Sequence, residues 1–332
     1  MSSTTDFTAK RHGFHFPNDF VNPVMNIPGF GTITTEGLCG GMTFSSLDYY
    51  HATTPIPTHV KTDFPGGSTV PPPGSRFYKQ IFDRQLDTFN PLNNPDIVKF
   101  ITMPIPVGRS AFEVSMQDEW PRITAKLDAG EPSPLGLLAD SANPTQGHQV
   151  VATGYTDSPQ SIQIYDSNHP DRTVTLTPDS ATSLVRASTG ENWIGFFLET
   201  YTQASPGYSD LVLSTGIDTN PVAPAVAALG DIVETGFTVR NNGDYTAHLK
   251  SLDAALIGPS GEDLDNTYPV DGIAANLAPG GTQSYLAQPV VSFGTTAGTY
   301  EFIAYYQSTL NEWFVVPAGA PGTQTATTLE AQ

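Results

Sequence analysis

The chain has 332 residues and a formal net charge of −19, with 14 basic residues against 33 acidic ones. This balance argues against nucleic acid and against an anionic membrane surface as partners, because both attract basic patches. A hydrophobic content of 38% is sufficient for a folded globular chain, and the length predicts two domains.

The sequence contains one cysteine, Cys39, so no disulfide within the chain is expected. It has no run of about 18 apolar residues, so no transmembrane helix is predicted, and residues 1–11 lack the apolar stretch of a signal peptide. These features predict a protein without a membrane span that is cytoplasmic or exported without a classical signal. His12 and His15 have no carboxylate or cysteine at ligand spacing, so no metal site is predicted.

The first part of the chain has helical patterns separated by turns. Residues 1–36 are polar and turn-rich, which predicts an irregular arm packed through its Phe side chains. Residues 38–51 are predicted to form a helix, followed by a Pro- and Gly-rich loop over 52–75. Apolar residues at helical spacing predict further helices over 76–90, from Asp96 to about Met103, and from about Asp118 until Gly130.

From residue 134 onward the pattern changes to short apolar runs that are typical of β-strands. Helices followed by strands indicate an α+β domain, which we place at residues 1–205. In chain order the predicted strands of this domain are 134–138, 149–155, 161–165, 173–176 and 193–198.

A polar segment that contains Pro206 and Gly207 precedes a region with strand-like runs only. Turn clusters at short spacing separate these runs, which predicts an all-β antiparallel sandwich over 206–332 with a loose C-terminal tail. The predicted strands are 210–217, 236–240, 248–257, 282–291, 299–306 and 313–316.

Cys39 lies where a loop gives way to the predicted helix 38–51. The unpaired N–H groups and the dipole of a helix N-terminus favour the thiolate, which is the nucleophilic form of cysteine. Gly40 and Gly41 follow it and, without a Cβ, allow a substrate or another segment to approach the sulfur. The alternative is that Cys39 is a small buried apolar residue, which is the commonest role of a free cysteine.

A cysteine nucleophile needs a base and a group that orients the base. His148 opens one predicted strand and Asp166 follows the next. If the two strands form a hairpin that brings Val151 close to Ile162, His148 and Asp166 become neighbours at one edge of the sheet, where the carboxylate can fix the imidazole tautomer. The alternative for Asp166 is that it caps a turn.

Three motifs together resemble the papain-like cysteine peptidase superfamily, and especially its C39-like branch. They are Cys39 at a helix start, Gly-His-Gln-Val-Val-Ala-Thr-Gly-Tyr from Gly147, and Ile-Tyr-Asp-Ser-Asn-His-Pro from Ile164. The stretch Gly-Leu-Cys-Gly-Gly-Met is also similar to one in a group of uncharacterised bacterial proteins. The resemblance covers about residues 12–200 and implies Cys39 as nucleophile, His148 as general base and acid, and Asp166 as the orienting group. Asn168 is a rival for the third position, because papain-like enzymes often use Asn there.

The sequence departs from the family at the oxyanion site. Papain-like peptidases carry a Gln a few residues before the nucleophile, whereas here the preceding residues are Ile-Thr-Thr-Glu. The N–H of Cys39 offers one donor, and Thr34, Thr35 or Asn26 is a candidate for the other. A missing donor costs on the order of 10²–10³ in rate in other enzymes, so a weak peptidase and a catalytically silent relative both stay open.

The sequence therefore predicts a thiol hydrolase, a cysteine peptidase that cleaves a peptide or protein substrate through an acyl-enzyme without a metal or cofactor. An acyltransferase or an amidase would use the same triad. The sandwich resembles the immunoglobulin-like modules attached to bacterial enzymes, on the segments Val239–Gly243 and Pro279–Thr282. The competing hypothesis is a silent papain-like scaffold whose sandwich docks a protein or glycan partner.

Overall fold

The chain divides into two units in a computed structural model. Residues Met1–Ile56 and Val60–Gly207 form the first unit, and Pro57–His59 with Tyr208–Gln332 form the second. The structure describes residues 2–21, 23–27, 31–105, 108–140, 146–221, 226–228, 231–259, 261, 275–287, 297–319, 323–324 and 326–331.

The first unit has an α+β architecture. Its α-helices are α1 (Ala9–His12), α2 (Cys39–His51), α3 (Arg76–Phe89), α4 (Lys99–Thr102), α5 (Ala111–Val114) and α6 (Trp120–Asp128). Its strands are β1 (Ser2–Thr4), β2 (Val24–Ile27), β3 (Gly31–Thr34), β4 (Ser133–Leu138), β5 (His148–Asp157), β6 (Gln160–Tyr165), β7 (Thr173–Asp179), β8 (Leu184–Ala187), β9 (Asn192–Trp193) and β10 (Gly195–Leu198). Short 3₁₀ turns at Pro65–Gly67 and Pro95–Val98 and a π-helical turn at Ser115–Glu119 complete the helical segments.

The sheet of this unit has eight strands, in the order β10-β4-β5-β6-β7-β8-β9 with β1 added beside β5. Every pairing in this sheet is antiparallel. The central strands β5 and β6 carry apolar side chains such as Val150, Ala152 and Ile162 into a core shared with α6. Burial on this scale fixes the register, because a slip of one residue would move every side chain to the opposite face.

Helix α2 is buried over ten consecutive residues, from Gly40 to Tyr49. It packs closely on α3, since a Cβ on Gly41 would overlap the backbone oxygen of Ile81. It also contacts the sheet, where the Thr43 hydroxyl donates to the backbone oxygen of Gln149 at 3.0 Å. A helix enclosed in this way holds its first residue, Cys39, in a fixed position against β5.

Two expectations for the helical region are corrected. Residues 1–36 do not form an irregular arm throughout, because α1 and the β2–β3 hairpin lie within them. The helix expected from Asp118 begins seven residues earlier, at Ala111, and runs through the π-helical turn into α6. A capping box fixes this earlier start, because Ser110 accepts from the Glu113 N–H while the Glu113 carboxylate accepts from the Ser110 N–H.

The second unit is β-rich. Its strands are β11 (Leu211–Leu213), β12 (Asp218–Pro221), β13 (Val226–Ala227), β14 (Val233–Asn241), β15 (Ala247–Leu249), β16 (Ser251–Ile257), β17 (Ala275–Leu277), β18 (Thr282–Ala287), β19 (Gly298–Gln307), β20 (Trp313–Val315) and β21 (Ala326–Ala331). They form a sheet around β14 and another around β19, with β15 and β17 as a separate pair. The C-terminal segment that was expected to be a loose tail includes β21, which pairs with β19.

Residues of the two larger sheets share one core, which includes Phe237 and Val239 from β14 and Tyr300, Phe302 and Ala304 from β19. The pattern of alternating burial along β14 and β19 explains this core, because successive side chains of a strand point to opposite faces. Among the residues that the structure describes, none of the helices is long and apolar enough to cross a membrane.

Candidate active site

His148 and Asp166 lie at the same end of the β5–β6 hairpin. His148 is the first residue of β5, and Asp166 follows the last residue of β6. The His148 Nε2 and the Asp166 Oδ1 are 2.6 Å apart, and the N–H of Asn168 donates to the same Oδ1 at 2.8 Å. Both side chains are buried, so the imidazole and the carboxylate face each other with little access to water.

A β-bulge brings these two side chains to the same face of the sheet. The expected proximity of Val151 and Ile162 is wrong, because Val151 pairs with Tyr165 and Ile162 pairs with Tyr155. The register shifts by one residue between Ala152 and Gly154. Continued beyond β6, it places Asp166 opposite Val150, which shares a face with His148. Without the bulge Asp166 would oppose Val151 and point to the other face.

The pKa values of His148 and Asp166 are shifted in opposite directions. Burial by itself would lower the pKa of His148, but the charges of Asp166 and Cys39 outweigh it and hold the pKa well above the usual value of 6.5. Burial by itself would raise the pKa of Asp166, but the neighbouring imidazolium and the hydrogen bonds it receives lower that pKa. His148 is therefore protonated at neutral pH, and Asp166 is ionised.

Cys39 completes the cluster. Its half-buried side chain begins α2 and lines the same pocket as His148. The negative charge of the thiolate contributes to the raised pKa of His148. Since Nε2 of His148 binds Asp166, the other ring nitrogen, Nδ1, is the one left for the thiol. No side chain caps α2 at Leu38; the Leu38 N–H instead donates to the Asn18 Oδ1 at 2.7 Å.

These groups open into a pocket of about 180 Å³ in the first unit. Cys39, His148 and Trp193 line it. The Trp193 ring stacks on the His148 ring with 6.0 Å between centroids and 14° between planes. The ring shields the imidazole from water. The pocket is lined by Asn18, Thr35, Glu36, Gly37, Cys39, Gln85, Phe89, Phe100, Gln146, Gly147, His148, Gln149, Asn168 and Trp193.

The structure also locates the other candidates for the orienting group and for the second oxyanion donor. Asn168 offers its backbone N–H to Asp166, while its side-chain oxygen accepts from Asn18 at 3.3 Å. Thr35 lines the pocket, but its hydroxyl donates to the Gly37 oxygen at 2.6 Å. Thr34 ends β3 with an exposed side chain and is not among the residues that line the pocket. Asn26 lies in β2, and its side chain falls outside the described part of the chain.

Sequence reasoning missed Asn18 and Trp193. Asn18 lies in the N-terminal segment, and a Cβ on Gly37 would overlap its side-chain amide, so the glycine is what lets the amide reach the loop before Cys39. No local pattern predicts this contact, because 20 residues separate Asn18 from Leu38. Trp193 was expected inside a strand, and β9 does contain it, but the register that stacks it on His148 is a tertiary feature.

A buried polar cluster lies behind the pocket. The Gln149 amide donates to Glu199 Oε2 at 2.7 Å, and Asn94 donates to the same oxygen at 2.9 Å. Burial raises the pKa of Glu199 to about 8 even though these hydrogen bonds oppose the rise. A Cβ on Gly40 would overlap the Gln149 amide oxygen, so the cluster adjoins the first turn of α2 and fixes the wall beneath Cys39.

In the described part of the chain no three His, Cys, Asp or Glu side chains are grouped so that they could hold a metal ion. No protein-family model matches the sequence, and no curated protein does. One solved structure with similarity is the alkylpurine DNA glycosylase AlkC of Pseudomonas fluorescens bound to DNA containing an abasic site analogue. It is 15% identical with a TM-score of 0.26 and covers 37% of this chain. The chain spans 31% of that protein's length, and likeness of this degree carries no argument.

Proposed function

We propose that the first unit is a papain-like thiol hydrolase that cleaves amide bonds through an acyl-enzyme on Cys39. The observation that carries the proposal is that Cys39 and His148 line one pocket while His148 Nε2 lies 2.6 Å from Asp166 Oδ1. A nucleophile next to a base, with the base held by a third group, is the arrangement that covalent acyl transfer requires.

In the proposed reaction the Cys39 thiolate attacks the carbonyl carbon of the substrate and forms a C–S bond, while the π electron pair moves to the carbonyl oxygen. His148 then gives its proton to the leaving amine as the C–N bond breaks, which leaves a thioester. Next, His148 takes a proton from water, the hydroxide attacks the thioester, and the thiolate departs. Protonated His148 and ionised Asp166 match the first of these steps.

Peptides or proteins are the proposed substrates. The lining of the pocket combines aromatic side chains such as Phe89 and Phe100 with amide groups that suit a peptide backbone. Glu36 is a charged group on the lining outside the triad, so substrates with a cationic side chain near the scissile bond are expected to be preferred over acidic ones. For the β-rich second unit, we propose an immunoglobulin-like sandwich that serves as a spacer or docking module.

A peptide library tests the proposal directly. The purified chain and a Cys39→Ser variant are each incubated with the library at pH 7, and new N-termini are identified by mass spectrometry. We expect cleavage by the first protein and none by the second. Product peptides joined to added amines would assign the same triad to acyl transfer. Intact peptides in both samples would favour the silent scaffold instead.

A further inference from the structure

Asn18 is held at the pocket by three hydrogen bonds, one from its backbone and two from its side chain. Its backbone N–H donates to the Ser167 oxygen at 3.0 Å, its Oδ1 accepts from Leu38 at 2.7 Å, and its Nδ2 donates to Asn168 Oδ1 at 3.3 Å. These contacts join the loop that precedes the nucleophile to the loop that follows Asp166. The amide is therefore fixed between the two segments that carry the reacting groups.

This amide also borders the backbone that leads into Cys39. Asn18, Gly37 and Cys39 line the same pocket, and the absence of a Cβ on Gly37 lets the Asn18 amide approach the backbone there. The Leu38 N–H that binds Asn18 belongs to the residue next to Cys39. The Cys39 N–H, in the first turn of α2, has no carbonyl partner within the helix.

We infer that the Asn18 Nδ2 and the Cys39 N–H together form the oxyanion hole of this site, with Asn18 as a further catalytic residue. The inference rests on the proposed function. The orientation of the amide is determined, because Oδ1 receives the Leu38 N–H and Nδ2 must therefore face the other way. One hydrogen of Nδ2 goes to Asn168, and no acceptor for the other occurs among the residues that the structure describes.

Two chemical probes separate this role from a structural one. p-Nitrophenyl acetate acylates a thiolate through a tetrahedral intermediate: the C–S bond forms, the π pair moves to the carbonyl oxygen, and p-nitrophenolate then leaves. Iodoacetamide alkylates the same sulfur by displacing iodide and develops no charge on a carbonyl oxygen. An oxyanion donor accelerates the first reaction alone, whereas a group that only positions Cys39 affects both.

The experiment compares the full chain with Asn18→Ala, Asn18→Asp and Asn93→Ala. Asn93 is the matched control, an asparagine whose amide donates to Asp87 away from the pocket. We expect both Asn18 variants to acylate about 10²-fold more slowly than the parent, with alkylation rates within about twofold of it. Asn18→Asp keeps an acceptor for the Leu38 N–H and puts an anionic oxygen in place of Nδ2, so its acylation should be at least as slow as that of Asn18→Ala.

Equal losses in both reactions would overturn the inference and make Asn18 a positioning residue. Wild-type acylation rates in both variants would overturn it as well, and in both cases the proposed function would stand. If the parent protein reacts with both probes no faster than free cysteine, the proposed function fails and the inference fails with it. Thermal unfolding of each variant verifies that the altered chains are folded.

Discussion

Two buried carboxyl groups of the first unit, Asp166 and Glu199, are shifted in opposite directions. The pKa of Asp166 is lowered because the His148 imidazolium outweighs burial, whereas burial raises the pKa of Glu199 to about 8. Asp166 receives a charged partner, while Glu199 receives the neutral amides of Gln149 and Asn94. Burial alone therefore does not mark a reactive site, and for these two acids the charged partner of Asp166 and the neutral partners of Glu199 account for the opposite shifts.

The largest effect is expected when His148, the charged partner of Asp166, is removed. His148→Gln takes away the proton carrier and the cation that faces Asp166, and we expect turnover of p-nitrophenyl acetate to fall by about 10³-fold or more. The matched control is His15→Gln, because His15 is also paired with a carboxylate, Asp171, at 2.6 Å but does not line the pocket. The control should keep the parent turnover, and an equal loss in both variants would contradict the account.

Replacing the charge of Asp166 with a neutral isostere should have the next largest effect. Asp166→Asn removes the negative charge that raises the pKa of His148, so the imidazole should lose its proton at lower pH and turnover should fall by about 10²-fold. The rate of alkylation by iodoacetamide, measured from pH 5 to 9, should show that His148 loses its proton at a lower pH in the variant than in the parent protein. Asp171→Asn, which alters the His15–Asp171 pair at 2.6 Å, is the control and should leave the profile unchanged.

Glu199→Gln tests the other buried acid through the pH dependence of the free energy of unfolding. Glu199 keeps its proton in the folded chain up to a pH of about 8 but loses it in the unfolded chain near its usual pKa of 4.5. The unfolded state thus binds fewer protons between these values, so the free energy of unfolding falls as the pH rises from about 5 to 8.

Glutamine mimics the protonated acid and cannot ionise. We expect urea denaturation to show the variant gaining on the parent across this range, by on the order of 3–5 kcal/mol at pH 8. Parallel pH profiles for the two proteins would show that Glu199 titrates normally in the folded chain.

The smallest effect is expected at Asn168. Its backbone N–H, and not its side chain, holds Asp166, so Asn168→Ala should lower turnover by less than about threefold. The loss it does cause comes from the acceptor that Asn168 gives to Asn18. A loss as large as that of Asp166→Asn would make Asn168 the orienting group.

Much of the candidate site could be located from local patterns in the sequence. The helix start at Cys39 and the strand that His148 opens follow from apolar periodicity and from the position of glycines. The register of the β5–β6 hairpin was misjudged by three residues: Val151 pairs with Tyr165 and not with Ile162, because the strands continue to Asp157 and Gln160 and leave a two-residue turn. The bulge beside Gly154 then shifts the pairing by one residue. A glycine inside a strand is the signal that could have indicated the bulge.

Contacts between segments that are far apart in the chain could not be predicted from the sequence. Asn18 meets Leu38 across the N-terminal segment, and Glu199 meets Asn94 from the end of β10. Neither contact repeats a spacing along the chain, since each depends on how helices and strands pack in three dimensions. The candidates Thr34 and Thr35 are near the nucleophile in sequence, whereas Asn18 lies 20 residues before Leu38 and reaches the pocket only through the fold.

The central claim is that His148 and Asp166 act together on Cys39, and the pH dependence of Cys39 alkylation by iodoacetamide tests it most directly. Because His148 keeps its proton well above pH 6.5, we predict a fast rate that changes by less than about threefold between pH 6 and 8. In His148→Gln the rate should be slow and rise about tenfold for each pH unit, as for a free thiol whose pKa is about 8.5. A parent rate that is as slow and as steep as that of the variant would contradict the account.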